Sequence, residues 1–195
     1  EFRRVLFRSD RRKVLYLLIL LIGVAARVYR LGSIPGGINQ DEAFAAREAW
    51  SLLHSGIDSF GYPWPMYLTT WGSGMSVLNS ILMIPFIMIF GRHTWVFRLP
   101  QMIVGVVTII AVEKIVNEMI DEETALWAMF LLAINPWHIM MSRWGLDCNL
   151  APGFLVFGLL FFLLGIKEER YYLFSAVFYG LSLYCYATIW PVVLF

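Results

Sequence analysis

The stretch Gly74-Met75-Ser76-Val77-Leu78-Asn79-Ser80-Ile81-Leu82-Met83-Ile84-Pro85-Phe86-Ile87-Met88-Ile89-Phe90 decides the architecture. It is apolar apart from a few small polar residues and Asn79, and it carries Pro85. A helical span needs about 20 residues to cross a hydrocarbon core about 30 Å thick. This stretch is either a short span or a helix lying in the membrane plane. If it spans, the polar segments before and after it face opposite sides. If it lies in the plane, they share one side.

The rest of the chain places that choice in a membrane. Hydrophobic residues make up 59% of the 195-residue chain and charged residues 15%. Soluble domains hold about 45–50% and about 25%. The mean hydropathy is +0.69. The apolar runs are continuous rather than alternating, so the membrane fold is helical and not a barrel. The net charge of +1 says nothing about partners, and the absence of a basic patch argues against nucleic acid. Cys148 and Cys185 form no disulfide framework and read as small apolar residues.

Before the deciding stretch, Arg11-Arg12-Lys13 precede an apolar run from Val14 to Ala26. Positive charge there places the N-terminus in the cytoplasm. Arg27 and Arg30 are expected to snorkel at the far end of that run. Residues 1–9 resemble a translated sequencing adapter, and Trp190 to Phe195 stop within an apolar run. Residues 10–195 therefore read as the N-terminal part of a longer transmembrane domain, inactive alone.

Gly32, Pro35, Gly36 and Gly37 then break the helix and open an outer loop, 31–97. Asn39-Gln40-Asp41-Glu42 has the spacing of a capping box and predicts a helix over 40–55. On that helix Ala46, Ala49, Trp50, Leu52 and Leu53 share one face, and Asp41, Arg47, Glu48 and His54 the other. Glu42 falls on the apolar side, so it either folds back to the cap or sits at a buried site. Asp41 and Glu42 do not face each other and can have different roles. Gly61 to Tyr67 reads as an extended aromatic segment.

After the deciding stretch, Leu99 to Val116 is a span and Asp121-Glu122-Glu123 a solvated turn. A further span is expected from Ala125 through Asn135-Pro136-Trp137 to about Met141. Ser142 to Asn149 forms a second polar loop. Leu150 to Ile166 spans again, and Tyr171 to Tyr186 starts back. The fold class is all-α, a polytopic transmembrane helical bundle with juxtamembrane helices in an outer loop.

The residues alone leave alternatives open. Asp41 reads either as a helix N-terminal acid or as a catalytic carboxylate. Arg143 and Asp147 read as an i,i+4 ion pair, or Arg143 as a ligand for a lipid phosphate. His138 reads as an interfacial or packed histidine rather than a metal ligand.

The order of these features carries a resemblance. A span, the Asp41-Glu42 loop, an apolar segment, Phe97-Arg98-Leu99-Pro100, two spans and Ser142-Arg143…Asp147 follow one another. This resembles the N-terminal part of the GT-C glycosyltransferases of family 39 type, the protein O-mannosyltransferases and aminoarabinose transferases of lipid A. The resemblance covers most of residues 11–195. The His/Glu-Pro-Pro-Leu motif of many relatives is absent, and small residues stand around Trp71-Gly72-Ser73-Gly74-Met75-Ser76.

What the resemblance implies is transfer of a sugar from a polyprenyl-phosphate donor to an acceptor hydroxyl on protein, lipid or cell-envelope glycan. It implies an inverting reaction at the outer face of a bacterial plasma membrane. Asp41 would be the general base on the acceptor, and Glu42 would position it or the acceptor. Arg143 would steady the donor phosphate, and Asp147 would orient Arg143, the acceptor or a cation. No cofactor is implied with certainty, and a divalent cation stays open. The competing classes are a transporter or flippase of lipid-linked sugar, with charges inside the spans, and a structural membrane subunit.

One site requires both polar loops on one side. The resemblance favours an in-plane helix over 74–90, and Asn79 with Pro85 permit it. This places Arg92, His93 and Arg98 outside and Asp121-Glu122-Glu123 inside. Acidic residues contribute little to orientation, so the arrangement is tolerable. Single cysteines at Ser55 and Asn149, in a cysteine-free full-length parent, are both expected to react with an impermeant label from outside. Labelling of Ser55 alone would make 74–90 a span and break the single-site reading.

Overall fold

The computed structural model describes residues 2–70 and 72–194. The side chains of residues 1–10, of Ser73 and of residues 193–195 lie outside that description, as does Trp71. The adapter reading of 1–9 and the first residue of the Trp71–Ser76 run therefore fall outside the described residues.

The chain begins with α1 (Phe2–Val28), which runs past the apolar stretch Val14–Ala26. Helix α2 (Gln40–Ser55) forms where the capping box predicts it. The Asn39 side chain accepts from the Asp41 N–H, and the Glu42 carboxylate accepts from the Asn39 N–H. Gly56 ends α2 in the left-handed region, with φ 69°, a conformation that favours glycine.

Strands β1 (Tyr67–Thr70) and β2 (Ser73–Ser76) pair as an antiparallel hairpin with Leu68 opposite Met75. The sequence reading had no hairpin here. Buried Leu68 packs with Leu52 of α2 and Val77, which anchors the hairpin on the outer face of that helix.

Helix α3 (Leu78–Phe90) is followed by the single turn α4 (Thr94–Phe97) and the long α5 (Leu99–Met119), which has Pro100 in its first turn. Asp121 caps α6 (Glu122–Ile134), accepting from Glu123 and Thr124. The span expected to run on to Met141 is interrupted instead. Asn135 leaves helical geometry and caps a separate α7 (Pro136–Met141), because Pro136 cannot continue the α6 ladder but suits a first turn. A 3-10 turn (Asp147–Asn149) leads into α8 (Ala151–Gly165). Then come α9 (Tyr171–Cys185), a 3-10 turn (Ala187–Ile189) and α10 (Trp190–Leu194).

Helix α5 lies at the centre, against α1, α6 and α8, and α9 packs on α8. Gly158 lets α9 approach, since a Cβ there would stand 2.9 Å from the Tyr179 ring. Ser175 Oγ donates to the Gly158 carbonyl at 2.8 Å and Ser182 Oγ to Ala151 at 3.0 Å. Small residues and side-chain hydroxyls at a helix seam are how helices associate where no water drives them together. Among the described residues two segments are long and apolar enough to cross a membrane, Leu99–Met119 and Asp147–Gly165, the latter counting the turn ahead of α8. Leu17, Leu21, Leu131, Trp127 and Leu173 expose apolar surface. The protein has an all-α membrane-type fold with one small hairpin.

The deciding stretch becomes a 13-residue helix lying against α2, about 20 Å long by helical rise. Ala45, Ala46 and Ala49 of α2 pack on its Met83 and Ile87, and Ser80 Oγ donates to the Ala45 carbonyl at 2.9 Å. It does not separate the two polar loops, because Glu42 and Gly145 are in direct contact. At the other end of the bundle Arg12 pairs with Glu113 at 3.2 Å and Glu122 at 2.7 Å, and Lys167 pairs with Glu118.

Two placements correct the sequence reading. Arg27 does not snorkel. It is wholly buried and donates to the carbonyls of Gly23, Leu132 and Ala133 and to Ser142 Oγ. Glu48 does not face solvent, because the turn after α2 folds back over it and the Ser59 N–H donates to its Oε2 at 2.8 Å. Asp58, in the same turn, accepts from the Phe60 and Tyr62 amides. Glu48 Oε1 and Asp58 Oδ2 are buried with no hydrogen-bond partner among the described residues.

Burial, more than it is offset by the Ser59 amide, holds the Glu48 carboxyl above the usual range, and the Asp58 charge adds to this. The native state therefore takes up a proton that the unfolded chain releases. This stabilisation is complete below the ordinary value of 4.5 and is lost as pH rises through the raised one. Thermal unfolding of the detergent-solubilised protein should show a midpoint that falls over this window. In Glu48→Gln the fall should flatten, with a midpoint at neutral pH no lower than that of the native chain.

Candidate active site

At the loop end of the bundle the first turn of α2, the segment before it, the start of α5 and the loop 142–149 meet around one carboxylate. Glu42 is wholly buried. Arg98 Nε donates to its Oε1 at 2.7 Å and Arg98 Nη2 to its Oε2 at 3.0 Å. The Gly145 N–H donates to Oε1 at 3.0 Å and the Asn39 N–H to Oε2 at 3.3 Å. Both oxygens are engaged from several sides, which is what a buried carboxylate requires. Arg98 is equally engaged. Its remaining N–H groups donate to the carbonyls of Leu31, Pro35 and Gly37 at 2.7–3.1 Å. Glu42 thus ties α2 to the 31–37 segment, to α5 and to the second polar loop.

Asp41, one residue earlier, has the opposite environment. It is exposed, and among the described residues its carboxylate makes no hydrogen bond or ion pair. Asp147 lies across from it in the turn before α8, largely buried, with Oδ1 accepting from the Cys148 N–H at 2.8 Å. The two acids are near enough for the charge of Asp41 to act on Asp147.

Arg143 stands differently from its expected role. It is buried, and each guanidinium nitrogen donates to main-chain carbonyls: Nε to Ile34, Nη1 to Ala26 and Arg27, Nη2 to Tyr29 and Ile34. No N–H is left for a phosphate. The i,i+4 pair with Asp147 is not formed either, because the guanidinium points at the end of α1. Arg143 instead caps the last turn of α1, whose carbonyls have no intrahelical partners.

The loop is held from behind by two side chains that the sequence reading gave no role in the site. Asn79 Nδ2 donates to the Gly145 carbonyl at 2.9 Å. Gln101 Nε2 donates to Asn79 Oδ1 at 2.6 Å and to the Leu146 carbonyl at 3.1 Å. Both side chains are buried. The available signal was an amide inside an apolar helix, which is costly unless paired. Beyond Gln101, a cleft of about 160 Å³ runs between α5 and α8, with Thr108, His138, Ser142, Asn149 and Val156 on its walls. His138 Nδ1 lies 2.6 Å from Arg27 Nη2; a guanidinium only donates, so the imidazole proton sits on Nε2. Among the described residues no three His, Cys, Asp or Glu side chains are placed to hold a metal ion.

The chemistry this arrangement can perform is acid–base work at an exposed carboxylate fixed to a rigid frame. Residues 77–195, more than half of the chain, match the family described as dolichyl-phosphate-mannose-protein mannosyltransferase, and the chain belongs to that family. No curated protein and no solved structure matches it.

Removing one partner of a buried ion pair leaves the other charge uncompensated, at about 3–5 kcal/mol. Arg98→Met should therefore lower the thermal unfolding midpoint sharply. Glu42→Met added to it should restore part of the loss, since no buried charge is then left unpaired.

Proposed function

We propose that this member of the dolichyl-phosphate-mannose-protein mannosyltransferase family transfers a sugar from a polyprenyl-phosphate donor to an acceptor hydroxyl, with Asp41 as general base. One observation carries the reading. Among the described residues Asp41 is an exposed carboxylate with no hydrogen bond or ion pair, beside a Glu42 whose two oxygens are both engaged.

A lipid phosphate is a competent leaving group, so the reaction needs a proton acceptor for the hydroxyl and a place for the departing charge. Asp41 Oδ accepts the hydroxyl proton as the acceptor oxygen attacks the anomeric carbon. The bond from that carbon to the phosphate oxygen breaks with its electron pair leaving on the phosphate. Direct attack inverts the anomeric centre. Glu42 does not compete as a base, because its oxygens already accept from Arg98, Gly145 and Asn39. It positions Asp41. Asp147, near enough to feel the charge of Asp41, orients the acceptor. Arg143 acts through the fold, holding the end of α1, and the phosphate charge falls to another cation.

The reaction belongs at the outer face of a bacterial plasma membrane, with both polar loops outside. Support comes from the charge distribution. Buried Arg27, Arg98 and Arg143 gather at the loop end, and Arg12, Glu113 and Glu122 at the other. A transporter places ionisable groups along a path between the ends.

In the full-length parent, Asp41→Asn should reduce transfer by about 10²–10⁴, the usual contribution of a general base. Donor binding, measured separately, should be little changed. Full transfer activity in folded Asp41→Asn enzyme would overturn the assignment.

A further inference from the structure

We infer that Asn79 and Gln101 are positioning residues that fix where Asp147 stands relative to Asp41. The inference rests on the reading of Asp41 and Asp147 as the reacting end of the molecule.

The geometry is a short closed path. Asp41 is bonded in sequence to Glu42, and Glu42 Oε1 accepts the Gly145 N–H at 3.0 Å. The carbonyl of the same glycine accepts from Asn79 Nδ2 at 2.9 Å. The next carbonyl, of Leu146, accepts from Gln101 Nε2 at 3.1 Å, and Asp147 follows. The peptide units on either side of Gly145 are therefore gripped by α2 through the N–H and by α3 through the C=O. Each acid is within two residues of a gripped atom.

The two amides cannot be reversed. The carbonyls of Gly145 and Leu146 only accept, so an NH₂ must face each of them. That leaves Asn79 Oδ1 to accept from Gln101 Nε2, as found at 2.6 Å. Each orientation enforces the other. Gly145 also leaves no space for the loop to shift, since a Cβ there would stand 2.8 Å from Glu42 Oε1 and 3.1 Å from the Phe97 carbonyl. An amide buried in α3, which is apolar apart from Asn79 and Ser80, is destabilising unless its hydrogen bonds are made. Here both ends of the Asn79 side chain make theirs, toward the loop.

The misplacement expected from a broken grip is of the order of 1 Å, which reduces turnover by up to about 10²-fold when reacting groups must meet in a fixed geometry. The test uses Asn79→Asp in the full-length parent. This keeps the shape and the acceptor for Gln101 but removes the NH₂ that holds Gly145. Gln101→Glu, which removes the donors to Asn79 and Leu146, serves if the first variant does not fold. Turnover per folded enzyme should fall about 10- to 100-fold, with KM for donor and acceptor within about threefold. Asn79→Asp placed in Asp147→Asn enzyme should add almost nothing, because its effect passes through Asp147. Effects that multiply in the double variant would mean that Asn79 acts independently of Asp147, and that result overturns the inference. So does unchanged turnover in both single variants, or an Asp147→Asn enzyme that is fully active. The result for Asp41→Asn stands apart: full activity there sinks the transferase reading itself, whatever Asn79 does.

Discussion

The Glu42–Arg98 pair is the contact on which the loop end of the molecule depends. A bidentate carboxylate–guanidinium pair loses its hydration on burial and is tolerable only if every remaining donor and lone pair is met. Here the surplus donors of Arg98 reach three carbonyls of the 31–37 segment, and the surplus acceptor capacity of Glu42 reaches the amides of Asn39 and Gly145. Those segments are distant in sequence and have few apolar residues of their own. Their positions follow from the pair's demand for partners. The exposed acid beside it gains a fixed location although, among the described residues, its carboxylate makes no hydrogen bond.

The bundle itself was legible in the sequence, because continuous apolar runs and caps report local physics. Asn39-x-x-Glu42 gave the start of α2, and the apolar runs ending at Phe90 and starting at Leu99 located α3 and α5. What periodicity could not report was which polar residues lie inward. Glu48 sits on the polar face of α2 and is buried only because a later turn covers it. Asn135-Pro136 broke a span that hydropathy alone runs together. The site divides in the same way. The closeness of the two loops could be argued from the need for one side. The engagement of Arg143 with backbone carbonyls could not, since carbonyls leave no mark in a sequence.

The loop end also holds three buried cations. Arg27, Arg98 and Arg143 are all buried there, and Glu42 pairs with only one of them. The other two are satisfied by peptide oxygens at helix ends, where carbonyls lack partners and the helix dipole favours positive charge. Guanidinium suits this use, being planar, rich in donors and weakly hydrated. The outcome is a polar layer rigid enough to carry a site, assembled at the boundary between helices and loops.

Arg143 gives the assembly of the protein a direction in time. The carbonyls of Ala26, Arg27 and Tyr29 and the turn at Ile34 find their donor more than a hundred residues further along the chain. While the chain is being synthesised, α1 can enter the membrane at once, but its last turn has only water or lipid headgroups as partners. The segment from 29 to 37 is settled when Arg143 arrives, and Arg98 with it. The loop that presents Asp41, made early, therefore has its full set of hydrogen bonds only once residue 145 has been made.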